Sequence, residues 1–240
     1  MTTIKPAIEI AARAAVAART EALFRSSGAF REGHFLLKSG RHGDAYVEKF
    51  HVLSDPAATS ELCGFWAMSV RDQAGAVAVD LVAGPTTGGV ILAFETARQL
   101  GVRSIFAEEV RAVDGATHRE FRRGFRIEPG ERVLLVDDIL TTGGSLLAML
   151  PAIEGAGGQL QLAAVLVDRS GGLTQVTSPA TGARYRAEAL WSLDIPTFEP
   201  GSASCPGCAA GVAIEVPGAS GAKGPDATGS GAVKGSLSLS

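Results

Sequence analysis

Residues 133–145 read VLLVDDILTTGGS. The four aliphatic residues at 133–136 fit a strand buried on both faces, since a half-exposed strand would alternate apolar with polar side chains. That strand delivers two adjacent carboxylates, Asp137 and Asp138, followed through Ile139 and Leu140 by a hydroxyl- and glycine-rich loop, Thr141, Thr142, Gly143, Gly144 and Ser145. A helix is predicted over 145–153. The loop has the makeup of a phosphate cradle: glycines let backbone N–H groups approach an anion, the hydroxyls add donors, and a helix N-terminus carries partial positive charge. It is not a Walker loop, because no lysine precedes Ser145. Two acids beside a phosphate would repel it unless they engage something else, and sugar hydroxyls or a divalent cation are the candidates. A phosphorylated sugar satisfies both halves. A bare acid pair or glycine pair reads more readily as a strand end, N-cap and tight turn; the combined order of strand, acids, loop and helix reverses that and favours a ligand site.

Working outward, residues 76–83 (AVAVDLVA), 103–107 (RSIFA) and 161–167 (QLAAVLV) are predicted strands, and 90–100 (VILAFETARQL) has helical spacing closed by Gly101. Alternating strands and helices predict an α/β fold with a parallel sheet flanked by helices, whose ligands bind at the carboxyl ends of the strands. Those ends fall at Gly84-Pro85, at Asp137-Asp138, and at Asp168-Arg169-Ser170-Gly171-Gly172. The alanine-rich stretch 4–24 predicts a surface or dimer-contact helix. Residues 217–240 lack aromatics and apolar periodicity, which predicts a disordered tail.

The composition narrows the class. The chain has 240 residues, a net charge of -3 and 30 glycines, and its pI is about 5.8. No dense basic face for general nucleic-acid binding is expected, and no apolar run reaches the roughly 18 residues that span a bilayer. Three cysteines, Cys63, Cys205 and Cys208, fit a reducing compartment, so a cytoplasmic location is expected. Cys63 is expected in the core.

The 137–145 stretch resembles the diphosphoribosyl-binding motif of type I phosphoribosyltransferases. The blocks 33–50 (GHFLLKSGRHGDAYVEKF), 84–101 (GPTTGGVILAFETARQLG), 122–136 (RRGFRIEPGERVLLV) and 165–172 (VLVDRSGG) are similar to successive blocks of bacterial orotate phosphoribosyltransferases. The resemblance implies a type I phosphoribosyltransferase-like sheet with a small hood subdomain, a homodimer, and transfer of 5-phosphoribosyl from phosphoribosyl diphosphate to orotate. The products would be orotidine 5'-monophosphate and diphosphate, with Mg2+ bound mainly through the diphosphate rather than by direct protein ligands. It further implies that residues 137–145 cradle ribose 5-phosphate, with Asp137 and Asp138 on the ribose hydroxyls. Thr86 and Thr87, with Pro85, would line the diphosphate loop. Lys38 would sit by the diphosphate and base, and Thr141 and Arg169 would contact orotate. Read without the resemblance, Lys38 is a solvated turn lysine and Arg169 pairs with Asp168 or Glu154.

The pattern breaks in three places. The family's mobile catalytic loop commonly carries cations where this chain has Glu108, Glu109, Ala112 and Asp114, and Arg111 is the replacement cation to be tested, with His118, Arg119, Arg122 and Arg123 nearby. Four acids and four arginines between 108 and 123 also fit a solvated loop. In the hood, Val47 and Glu48 stand where some relatives have aromatics. Finally, Cys205-Pro206-Gly207-Cys208 has the spacing of half a zinc site or a redox pair. With no second CxxC, and His34, His42, His51 and His118 remote in sequence, a reducible local disulfide or free-thiol turn is favoured over zinc.

The expected division is thus 1–19 as a helical extension, 20–200 as the phosphoribosyltransferase domain with the hood partly in 20–55, 201–216 as the CPGC segment, and 217–240 as the tail. Two competing functions fit the same sequence: transfer to another nucleobase, and a regulator that binds phosphoribosyl diphosphate or a nucleotide without turnover.

Overall fold

Val133, Leu134, Leu135 and Val136 are all completely buried, as the unbroken aliphatic run requires. A computed structural model describes residues 10–72 and 74–217. In chain order these form α1 (Ile10–Ser26), β1 (Phe30–Leu36), β2 (His42–Val47), α2 (Lys49–Leu53), α3 (Pro56–Ser69), β3 (Leu81–Pro85), α4 (Gly88–Leu100), β4 (Arg103–Arg111) and β5 (Thr117–Phe121). There follow β6 (Arg132–Leu140), α5 (Gly144–Gly155), β7 (Gln159–Asp168), β8 (Gln175–Thr177), β9 (Arg184–Ser192), β10 (Thr197–Phe198) and α6 (Pro206–Ala209).

Seven strands make one sheet in the order β5-β4-β3-β6-β7-β9-β8. Its central pairs, β4 with β3, β3 with β6, β6 with β7 and β7 with β9, are parallel, and β5 and β8 add antiparallel edges. Because side chains alternate along a strand, Leu134 and Val136 enter a core shared with Leu62, Trp66, Leu92 and Trp191. Val133 and Leu135 point to the other face, against Met149, Leu150 and Ile153 of α5. Each such buried aliphatic side chain contributes about 1.5–3 kcal/mol relative to exposure. Cys63 belongs to the first core, fully buried. The hood is a separate antiparallel sheet, β1-β2-β10.

Local chemistry sets the element ends. Asp55 caps α3 by accepting the Ala57 and Ala58 N–H groups at 2.9 and 3.2 Å, ahead of Pro56 in the first turn. The strand expected at 76–83 starts later, at Leu81, because sheet pairing begins only at Leu81 opposite Val133. Upstream, Asp80 is held by Arg132 at 2.6 Å and Val77 bridges Arg71. The described part of the N-terminal helix runs without a break across 19–20 and ends at Ser26. It packs on β9, where Phe24 meets Trp191 edge-on at 5.8 Å. The stretch 108–123 is solvent-exposed over much of its length, as expected of a solvated segment, but forms a β-hairpin arm instead of a loop, with Glu109 opposite Arg119. The tail expected at 217–240 lies, apart from Pro217, outside the described residues, as do residues 4–9 of the predicted helix. Among the described residues no helix is long and apolar enough to cross a membrane.

Candidate active site

The carboxyl ends of β3, β6 and β7 bring three separate segments of sequence to one edge. β6 ends in Asp137, Asp138, Ile139 and Leu140, and the loop after it bends into α5, with Gly143 as N-cap at φ 80°. Asp137 together with residues 139–146 and Val165 lines a small cavity of about 80 Å³. Thr141, Thr142, Gly144 and Ser145 are exposed, whereas both aspartates are buried.

The acid pair is held from several sides. Asp137 Oδ1 accepts the Asp138 N–H at 2.8 Å, and Asp138 Oδ1 accepts the Ile139 N–H at 2.7 Å. The remaining Asp138 oxygen, Oδ2, meets Lys49 Nζ at 2.6 Å. The same oxygen lies over the first residue of α4: a Cβ on Gly88 would come within 2.0 Å of it. Burial and the neighbouring Asp138 charge push Asp137 up to about 6, against the opposing pull of the Asp138 N–H, Ser145 and Lys49. The pair therefore has one lysine for two buried carboxylates, an excess of acceptors suited to hydroxyl donors or a cation.

Thr86 and Thr87, joined to each other by a cis peptide, follow β3, and the Thr86 N–H donates to the Ala107 carbonyl at 3.1 Å. β4 pairs with β3 only as far as Ala107 opposite Pro85, so its last residues overhang the loop. Arg119, on β5, donates from Nη1 to Thr86 Oγ1 at 3.0 Å and lies 3.7 Å from Glu109. Glu108 forms a short ion pair with Arg123. Both acids that broke the expected pattern are thus matched by arginines on the same arm. Arg111 sits exposed at the end of β4, opposite Thr117; the cation that reaches the threonine loop is Arg119.

Arg169 follows β7, and its N–H donates to the Leu140 carbonyl at 2.8 Å, placing it beside the β6 loop. Neither acid proposed as its surface partner takes it. Asp168 accepts Ser170 N and Oγ at 2.7 and 2.6 Å and the N–H groups of Gly172 and Leu173 at 3.1 and 2.6 Å. Glu154 accepts the hydroxyls of Ser178, Thr181 and Tyr185. Arg169 Nε is buried without a hydrogen-bond partner, and burial lowers its pKa against the pull of Asp194. Lys38 stands exposed in the turn joining β1 to β2.

Residues 55–186 match the phosphoribosyl transferase domain family. The orotate phosphoribosyltransferase of Caldicellulosiruptor bescii is 39% identical over 82% of this chain and 94% of its own length. The chain belongs to the orotate phosphoribosyltransferase family. A second member, from Caulobacter vibrioides, is 41% identical over 84% of this chain and 95% of its own. The crystal structure of orotate phosphoribosyltransferase from Aeropyrum pernix shares the fold, with a TM-score of 0.55 and 24% identity over 72% of this chain and 92% of that one. The sequence gives no sign of Lys49 as the partner of the acid pair, and Arg119, one of the nearby cations it offered beside Arg111, is the one bonded to the threonine loop. Lys49 lay in plain view at the end of the 33–50 block, but only the packing of α2 brings it to Asp138.

Proposed function

We propose that this chain transfers the 5-phosphoribosyl group of phosphoribosyl diphosphate to orotate, forming orotidine 5'-monophosphate and diphosphate in pyrimidine biosynthesis. The observation that carries the reading is the buried Asp137-Asp138 pair set directly before a hydroxyl- and glycine-lined loop at the start of α5. Residues 141–145 take the 5-phosphate through backbone N–H groups and hydroxyls at the positive end of the helix. Asp137 and Asp138 accept the ribose hydroxyls. Thr86 and Thr87, with Arg119 behind Thr86, face the diphosphate. Arg169, with its unpartnered Nε, takes a polar substituent of orotate beside Thr141, and Lys38 comes in from the hood turn.

During transfer the anomeric C–O bond breaks and its electron pair leaves with diphosphate, while a ring nitrogen of orotate forms the new C–N bond and releases its proton to solvent or to the departing diphosphate. Positive charge on the ribose grows in between, and fixed carboxylates on its hydroxyls stabilise it without a covalent intermediate. Magnesium held on the diphosphate would neutralise the leaving group. The acceptor excess at Asp137 and Asp138 is compatible with that, and no protein ligand to the metal is assigned. Arg111, at the exposed end of the arm, is assigned to a closing movement of the arm, which would exclude competing water.

The enzyme is further read as a cytoplasmic homodimer. Ile91 and Phe94 on α4 and Met68 on α3 are 38, 64 and 58% exposed, an apolar face that supports association through these helices. Light scattering of the full chain should give twice the chain mass, and Phe94→Glu should yield monomers.

A panel of bases tests the substrate assignment. Turnover with orotate and none with adenine, guanine or uracil supports it. Turnover only with another base would transfer the assignment to that base, and nucleotide binding without turnover of any base would make the chain a binding protein.

A further inference from the structure

We infer that His34, His42, Cys205 and Cys208 form a tetrahedral zinc site that fastens the hood hairpin to the C-terminal segment. One ligand atom from each of the four lies within 4.8 Å of all the others. His34 Nε2 is 2.8 Å from His42 Nδ1, and 3.4 and 3.6 Å from the sulfurs of Cys205 and Cys208; Cys208 Sγ is 3.3 Å from His42 Nδ1. Zinc bonds of 2.0–2.1 Å to nitrogen and 2.3 Å to sulfur imply tetrahedral edges of about 3.3–3.8 Å. Three of the four sulfur–nitrogen distances already match, and the nitrogen–nitrogen edge opens by about 0.5 Å once both lone pairs turn to a metal.

The surrounding contacts prepare the set. His34 Nδ1 lies 2.8 Å from the Val212 carbonyl oxygen. A carbonyl only accepts, so Nδ1 carries the proton and Nε2 presents its lone pair to the cluster, the usual support for a metal-bound imidazole. Gly207 makes room for that ring, since a Cβ there would come within 2.5 Å of His34 Cγ. His34, His42 and Cys205 are buried, and all three cysteines are free thiols, so of the two forms expected from the CPGC spacing, local disulfide or free-thiol turn, the structure has the free thiols. Two thiolates and two neutral imidazoles around a divalent ion make a neutral unit, which can be buried without an unpaired charge. A sulfur and nitrogen set of this shape selects zinc, and four protein ligands leave no open position, so the site is structural.

The site joins segments that the sequence keeps far apart. Glu215 pairs with the β1 backbone through its N–H to the His34 carbonyl at 2.7 Å, and its carboxylate binds Arg31 at 2.6 Å. β10 pairs with β2 beside His42. The turn between the two histidines carries Lys38, so the metal fixes the base of the hairpin that presents this lysine.

The full chain, loaded with zinc and freed of excess, should carry one equivalent by elemental analysis. Cobalt substitution should give the intense visible bands of a tetrahedral site with thiolate-to-metal charge transfer. Native thiol labelling should find no reactive cysteine in the loaded chain and two after chelation, with buried Cys63 silent. The Cys205→Ser/Cys208→Ser double variant should lose the metal. Absence of stoichiometric zinc together with absence of a tetrahedral cobalt spectrum in the unmodified chain would overturn the site, as would full zinc retention by the double variant. The cobalt spectrum of the unmodified chain decides the matter even where the variant does not fold.

Discussion

Lys49 Nζ lies 2.6 Å from Asp138 Oδ2, so the first residue of α2 supplies the countercharge for a carboxylate at the end of the central strand. Removing that charge leaves two buried acids side by side. Lys49→Gln should therefore lower kcat/KM for phosphoribosyl diphosphate about 10- to 100-fold, the range of a charge-assisted hydrogen bond. Because Lys49 pulls the Asp137 pKa down, the acid limb of the pH profile should also move to higher pH. An unchanged profile and unchanged kinetics would show that Lys49 has no part in holding the pair.

Asp137 itself makes stability depend on pH. Its folded pKa, about 6, exceeds the ordinary 3.8, so the native state holds the proton more tightly than the unfolded chain. The resulting stabilisation is full below about pH 4 and is lost as pH rises through 6, a change of up to about 3 kcal/mol. Asp137→Asn cannot ionise, and its Oδ1 can still accept the Asp138 N–H. In urea titrations the variant should gain stability relative to the parent between pH 4 and pH 7. A difference that stays flat across that range would contradict the buried-acid assignment.

Gly88 tests the geometry without touching charge. Its added Cβ would fall 2.0 Å from Asp138 Oδ2, which forces the carboxylate aside. Gly88→Ala should keep the fold by circular dichroism and lose about 100-fold in kcat/KM, as displacement of a reacting group by about 1 Å does.

Asp168 positions Arg169 by folding the loop after β7. Burial pushes its pKa up, but the Ser170, Leu173 and Gly172 donors outweigh this and hold it below the ordinary carboxylate range. Asparagine would turn an N–H2 toward these donors. Asp168→Asn should raise KM for orotate about tenfold with a smaller change in kcat, and lower Tm; a matching loss for phosphoribosyl diphosphate would mean that the loop serves the sugar instead.

Much of this was legible in the sequence because it is local. The strand at 133–136 is marked by an unbroken aliphatic run, and the acids, hydroxyls and glycines of 137–145 are contiguous. The partners of those residues are not. Lys49 is brought to Asp138 by the packing of α2, and Arg119 reaches Thr86 only because β4 and β5 form a hairpin. That hairpin also explains why the acids at 108 and 109 carry less repulsion than their sequence suggests. The CPGC spacing alone favours a disulfide or free-thiol turn over zinc; the other half of the metal set, His34 and His42, comes from 171 and 166 residues away, and no periodicity records contacts of that range.

Whether Asp137 and Asp138 serve phosphoribosyl transfer to orotate is decided by diphosphate release from the purified full chain given magnesium, phosphoribosyl diphosphate and orotate. Orotate should be consumed and orotidine 5'-monophosphate formed in equal amounts with diphosphate, and turnover should fall sharply in Asp138→Asn with its fold intact. No orotate-dependent diphosphate release, or an Asp138→Asn variant as active as the parent, would contradict that role.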